Sequence, residues 1–406
     1  MLQRETNWKK KTILFLISQS ITLFGSQTVQ MAIIWYVTLH TEKGAWVAAF
    51  SVCSYLPQFL ISFWGGVWAD RCDRKRLIIG ADAGIAAVTA GMFFGMPYIS
   101  KERELLAALL LLSTLGSVVA GIQSPAVNTV IPKLVPKEAL IRYNGINAAM
   151  QSFVQFASPA AAGAVLTVGT LRASLLMDIL TAAAGIGIFF CVRLPEQEKR
   201  KETVSLFGDL RAGIRYAFVH KAVGNLVLLY GAITFLCVPA GYLSTLLVSR
   251  IYGSGYAYLA AAELGGFGGM MAGGLFISIW GGFFKERRKT LSIGLAVFGL
   301  TAAGMGLVQN FVVYLFLMFV YGIALTALQT TITTSLQENV RLSVQGRVFG
   351  FMNSLYSVSY PAGMALFGPM ADKIPLQWIM VVSGLGILLI GILWGRKPSE
   401  AEPKRE

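Results

Sequence analysis

The charged residues of this chain fall in clumps, and the stretches between the clumps are apolar over about 20 residues or more, the length a helix needs to cross roughly 30 Å of hydrocarbon. Few folds survive that constraint. Of 406 residues, 55% are hydrophobic and only 13% charged, whereas a soluble domain carries about 25% charged residues. A backbone in lipid must satisfy its own polar groups, so each stretch reads as a helix. The expected spans are 12–39, 45–69, 76–98, 104–131, 144–168, 171–192, 222–249, 255–284, 289–309, 311–337, 346–371 and 375–395. The fold class is therefore all-α integral membrane, with twelve transmembrane helices.

A net charge of +14 could signal nucleic acid, but its placement gives another reason for it. With the N-terminus inside, 28 of the 34 Lys and Arg residues fall in cytoplasmic segments, and only Lys43, Lys101, Arg103, Arg172, Arg250 and Lys373 fall outside. The positive-inside rule then places both termini in the cytoplasm. No nucleic-acid partner is needed. Cys53, Cys72, Cys191 and Cys237 have no paired spacing and read as reduced apolar residues. The N-terminus is basic and then apolar like a signal peptide, but its apolar run is long and lacks a small-residue cleavage site. It reads as the first permanent helix.

One hydrophilic interruption, 193–221, divides the chain into an N-terminal six-helix bundle (1–192), a cytoplasmic central loop and a C-terminal six-helix bundle with a short tail (222–406). Matching elements recur in the halves. Gly66-x-x-x-Asp70-Arg71 is echoed by Gly282-x-x-x-Glu286-Arg287, and Ser152 and Pro159 in span five by Ser354 and Pro361 in span eleven. A duplicated transporter shows this kind of internal repeat.

The segment Gly66 to Arg76 is a dense charged turn between two apolar spans. Its pattern, Gly66-x-x-x-Asp70-Arg71-x-x-Arg74-Lys75, resembles the signature between helices two and three of the major facilitator superfamily. The missing side chain at Gly66 allows close helix approach, and Asp70 could face the positive end of another helix. With Arg71, Arg74 and Lys75 this makes a conformational latch between inward- and outward-facing states. Ordinary positive-inside charge would account for Arg74, Lys75 and Arg76, but not for the Gly and Asp.

Three acids lie inside expected spans: Asp82, Asp178 and Glu263. A carboxylate in a bilayer costs several kcal/mol unless it is paired, protonated or hydrated, so each is a proton-coupling candidate. Glu263, ahead of the Gly265-Gly266-x-Gly268-Gly269 surface, is the first choice and Asp178 the second. Asp82 could equally be the structural partner of a loop Arg, and Asp178 could pair with Arg172.

Amides and aromatics without full charges mark the substrate cavity candidates: Gln27, Gln30, Gln123, Gln151, Gln155, Tyr230, Phe235, Tyr242, Tyr321 and Gln329. Gln151 and Gln155 share a helix face at i and i+4. For any one of these residues, helix packing is the competing role. With no intramembrane Arg or Lys in the cavity set, a phosphate-bearing substrate is disfavoured. No metal spacing, catalytic constellation or phosphate-binding Gly-x-x-x-x-Gly-Lys motif occurs, so neither an enzyme nor an ATP-driven pump is expected. No cofactor is expected, and an ion gradient supplies the energy.

Several stretches resemble the macrolide-efflux branch of the superfamily's drug/proton antiporters: Gln30 to Tyr36, Ile79-Gly80-Ala81-Asp82, Pro125-Ala126-x-Asn128, Glu263 with its Gly face, and Gly346-Arg347-Val348-Phe349. The resemblance implies alternating access and proton-coupled efflux of amphiphilic drugs by a monomer in the cytoplasmic membrane. Two stretches depart from it. Where the branch tends to carry an Arg in helix four, this chain reads Leu115-Gly116-Ser117, and the Gly-Pro-x-x-Gly-Gly of related exporters is here Ser158 to Gly163. A metabolite exporter or uptake carrier on the same scaffold, or a non-transporting membrane scaffold or sensor, are the alternatives.

Overall fold

The computed structural model describes residues 2–136, 139–192, 194, 214–280 and 286–396; side chains of 2–7, 63, 66, 67, 69–71, 141, 280, 342 and 343 lie outside it. Most of the expected central loop lies outside the described residues. Helices account for the rest: α1 (Leu2–Thr41), α2 (Gly44–Arg71), α3 (Arg74–Gly95), α4 (Glu102–Asn128), α5 (Ile131–Leu134), α6 (Leu140–Val168) and α7 (Leu171–Phe190), then α8 (Lys221–Leu236), α9 (Val238–Gly241), α10 (Ser244–Ile251), α11 (Tyr256–Trp280), α12 (Arg287–Leu307), α13 (Phe311–Asn339), α14 (Leu342–Met370) and α15 (Leu376–Arg396). Among the described residues, nine helices are long and apolar enough to cross a membrane. Large apolar side chains such as Leu111, Phe190, Ile279, Phe316 and Val382 are exposed along them, as an outer surface in contact with lipid requires.

Span seven, expected as one helix over 222–249, is instead broken into α8, α9 and α10. Pro239 has no N–H to continue the ladder. Past it the amides of Tyr242 and Leu243 both turn to the Val238 carbonyl, at 2.9 and 3.1 Å. Other prolines, Pro57, Pro125, Pro159 and Pro361, sit inside unbroken helices.

Two compact units emerge. The first comprises 1–41, 49–203 and 255–260, and the second 42–48, 204–254 and 261–406. Thus α2 and α11 each begin in one unit and continue in the other. In lipid there is little hydrophobic drive between helices, so within each unit small residues that let backbones touch hold its helices together. Within the first unit, Gly185 of α7 lies against the Ser18 carbonyl of α1, and the Ser18 hydroxyl donates to the Gly185 carbonyl at 2.9 Å. Within the second, a methyl at Gly299 of α12 would lie 2.5 Å from the Gly384 carbonyl of α15. Helix starts are fixed locally: the Asp73 carboxylate accepts from the Arg76 amide at 2.9 Å to cap α3, and Asn310 Oδ1 accepts from Val312 and Val313 to cap α13.

Candidate functional site

In the first unit α3 carries Asp82 and Thr89 seven residues apart, hence about two turns along one face. Asp82 Oδ1 accepts from Gln123 Nε2 of α4 at 2.7 Å. Asp178 of α7 accepts from the Thr89 hydroxyl at 2.9 Å and from Ser26 of α1 at 3.2 Å. Both acids are buried. Neither takes its expected alternative partner among the described residues. Asp82 binds an amide rather than a loop Arg, and Asp178 binds hydroxyls while the Arg172 guanidinium lies 4.3 Å from the centre of the Phe93 ring. Gln123, read from sequence as a cavity residue, is therefore occupied by Asp82.

In the second unit Glu263, half-buried on α11, makes no hydrogen bond or ion pair among the described residues. The glycines that follow it bring α11 against α13. Gly269 would meet the Phe319 carbonyl with any added methyl, Gly273 lies against Ile323, and the Thr326 hydroxyl donates to the Met270 carbonyl at 3.2 Å.

The break in span seven places Tyr242 beside α14. Its hydroxyl lies 2.9 Å from that of Tyr356, and its ring centre 4.2 Å from that of Tyr360. Tyr230 of α8 lies 6.4 Å from Tyr356 by ring centres. Two expected cavity residues, Tyr230 and Tyr242, are thus gathered by two that sequence reasoning missed, Tyr356 and Tyr360. Tyr356 and Tyr360 stand one turn apart, the same spacing used to pair Gln151 with Gln155. Phe235 packs on Phe367 at 5.2 Å. Tyr321 is buried elsewhere, stacked 4.3 Å from Phe298 with its hydroxyl donating to the Cys237 carbonyl at 3.4 Å. Gln27 and Gln30 are half-buried on α1, Gln151 and Gln155 exposed on α6, and Gln329 half-buried on α13.

The side chains of Gly66, Asp70 and Arg71 lie outside the described residues. Of the remaining latch residues, Lys75 donates to the Phe190 carbonyl at 2.7 Å, joining the start of α3 to the end of α7. Arg74 is half-buried. In the echo segment Arg287 pairs with Glu338 at 3.0 Å, Lys289 with Glu286 at 3.0 Å, and Arg288 donates to the carbonyls of Trp394 and Gly395.

One cluster had no place in the sequence reading. Asp372, just beyond α14, accepts from the amides of Gly44 and Ala45 at 2.6 and 2.9 Å and so caps α2. Arg250 pairs with the same carboxylate at 3.2 Å and donates to the carbonyls of Ala371 and Glu42. All of these residues belong to the second unit.

Membrane-length helices and buried acids among the described residues define an integral membrane protein with polar groups placed inside its helical units. Residues 15–364 match the Major Facilitator Superfamily model, and the chain belongs to that family. It is a multi-pass membrane transporter of small molecules. It is 27% identical to macrolide efflux protein A of Streptococcus pyogenes over 395 residues, covering 97% of each chain. It is 23% identical to the multidrug efflux pump Tap of Mycobacterium tuberculosis over 409 residues, covering 96% of this chain and 94% of that one. Among solved structures, a D-xylose–proton symporter matches with a TM-score of 0.71 at 13% identity, covering 95% of this chain and 97% of that one. That likeness speaks to the fold alone.

Proposed function

We infer that this transporter exports amphiphilic drugs of the macrolide or multidrug type, driven by proton entry, with both termini in the cytoplasm. Glu263 is the proton site of the second unit. The observation that carries this reading is a carboxylate half-buried at membrane depth with no hydrogen bond or ion pair among the described residues, an arrangement that is costly unless the group takes up a proton. Similarity along nearly the whole chain to two efflux proteins supports the direction and the substrate class. The tyrosines around Tyr242 supply apolar faces and hydroxyls suited to a bulky substrate with few charges.

The test is a drug-susceptibility panel in a host lacking its own exporters, with and without a proton uncoupler. Expression should raise the tolerated macrolide concentration several-fold, and the uncoupler should abolish the gain. In vesicles Glu263→Gln should abolish proton-driven efflux. If a pH gradient drives labelled drug equally well in that variant, the assignment of Glu263 is lost. A gradient that drives uptake of a metabolite and moves no drug favours the carrier reading.

A further inference from the structure

The two acids of the first unit are equally buried but differently served. Asp178 is 2% exposed, and each of its oxygens accepts a hydroxyl. Asp82 is 1% exposed, and only Oδ1 has a donor, the Gln123 amide. Its Oδ2 is buried with no hydrogen-bond partner among the described residues. An ionised carboxylate left this way would hold uncompensated charge on a bare oxygen in a medium that cannot solvate it. A proton on Oδ2 removes that charge.

A bound metal ion is the other way to neutralise it. Such an ion takes about six oxygen ligands, and no group of three or more acid, Cys or His side chains placed to hold one occurs among the described residues. A monovalent proton load is the simpler fit. We propose that Asp82 is the proton-carrying group of the first unit, with Gln123 as its positioning residue, and that Asp178 is a structural carboxylate held by Ser26 and Thr89. This rests on the proton-coupled reading above.

The step is a single transfer. The O–H bond at Oδ2 breaks, the proton passes to a water molecule, the electron pair stays on the carboxylate, and Gln123 Nε2 continues to donate to Oδ1. Reloading reverses it. The helices packed against α3 are α4 and α7. On α7 the titratable and charged groups are Asp178, held by Ser26 and Thr89, and Arg172, taken up by Phe93. On α4, Glu102, Arg103 and Glu104 sit in the first turn, some 20 residues before Gln123. On α3 itself, Arg74, Lys75 and Arg76 form the first turn, about 9 to 12 Å from Asp82 along the axis.

Two measurements on the full-length protein test this. By infrared spectroscopy at neutral pH, in a Glu263→Gln background that removes the carboxyl of the second unit, the protein should show a protonated-carboxyl C=O band that Asp82→Asn removes and Asp178→Asn leaves in place. Asn is nearly isosteric with the neutral acid, so the variant should stay folded by gel filtration. Gln123→Leu gives an independent reading: it should shift that band, and it should also move the pH midpoint of transport by on the order of one unit. In proteoliposomes with a labelled macrolide, Asp82→Asn should lose at least about tenfold of gradient-driven transport while counterflow stays within about twofold. A band that survives Asp82→Asn or ignores Gln123→Leu in the Glu263→Gln background, or gradient-driven transport at the wild-type rate in the single variant Asp82→Asn, overturns the proposal and leaves proton coupling intact. Wild-type transport indifferent to the gradient removes the coupling reading and this proposal with it.

Discussion

Gly163 of α6 lies so close to Ala260 of α11 that a methyl on it would stand 2.6 Å from the alanine Cβ. The same relationship recurs between Gly368 of α14 and Ala48 of α2. Gly163 and Ala260 both belong to the first unit and Gly368 and Ala48 both to the second, so each unit repeats the same glycine–alanine packing. Gly163→Ala should cost about 1–3 kcal/mol by overpacking, read as a lower Tm in detergent. Adding Ala260→Gly should restore most of the loss, whereas additive behaviour of the pair would show that the two residues do not meet.

The Asp372 carboxylate carries two backbone amides of α2 and the Arg250 guanidinium. Asp372→Ala should destabilise the protein by about 1–2 kcal/mol, and Asp372→Asn, which keeps an acceptor but loses the charge, by less. Thermal unfolding of the purified variants ranks them, and an order with Asn below Ala would refute the cap.

On the glycine face of α11, position decides the outcome. An added methyl at Gly265 finds its nearest neighbour at 3.5 Å, ordinary contact, while at Gly269 it would overlap the Phe319 backbone. Gly265→Ala should leave Tm unchanged or raised, as expected for a helix-interior glycine. Gly269→Ala should lower Tm and slow transport. Equal behaviour of the two variants would mean that α11 and α13 do not approach as described.

Tyr356→Phe removes one hydroxyl of the pair with Tyr242, an interaction worth about 1 kcal/mol, and so should change the apparent KM for drug a few-fold with kcat preserved. Tyr242→Ala also removes the ring against Tyr360 and should have the larger effect. Drug-dependent transport in proteoliposomes measures both, and unchanged KM values would place the substrate elsewhere.

Hydropathy made the helical spans legible because lipid demands self-satisfied backbone over a fixed length. The break at Pro239 was not legible, since Pro159 and Pro361 look alike in sequence yet sit in continuous helices; only the turn of Tyr242 and Leu243 to one carbonyl distinguishes it. The acids could be singled out by their cost in lipid, but their partners could not. Ser26 and Thr89 are ordinary hydroxyls until folding brings α1 and α3 to Asp178. Tyr356 and Tyr360 were within reach of the one-turn rule already applied to Gln151 and Gln155. Asp372 drew no reading at all, because nothing in one sequence links it to an amide 328 residues earlier.

The broken seventh span also bears on how the protein is made. Its pieces are 16, 4 and 8 residues long, and even the longest covers only about 24 Å of a hydrocarbon layer roughly 30 Å thick. None could be threaded into the bilayer by itself. The three pieces must therefore enter the bilayer together. The piece around Pro239 packs against α12, α14 and α15, all made after it, and the joining of Tyr242 to Tyr356 waits on more than 100 residues of further synthesis.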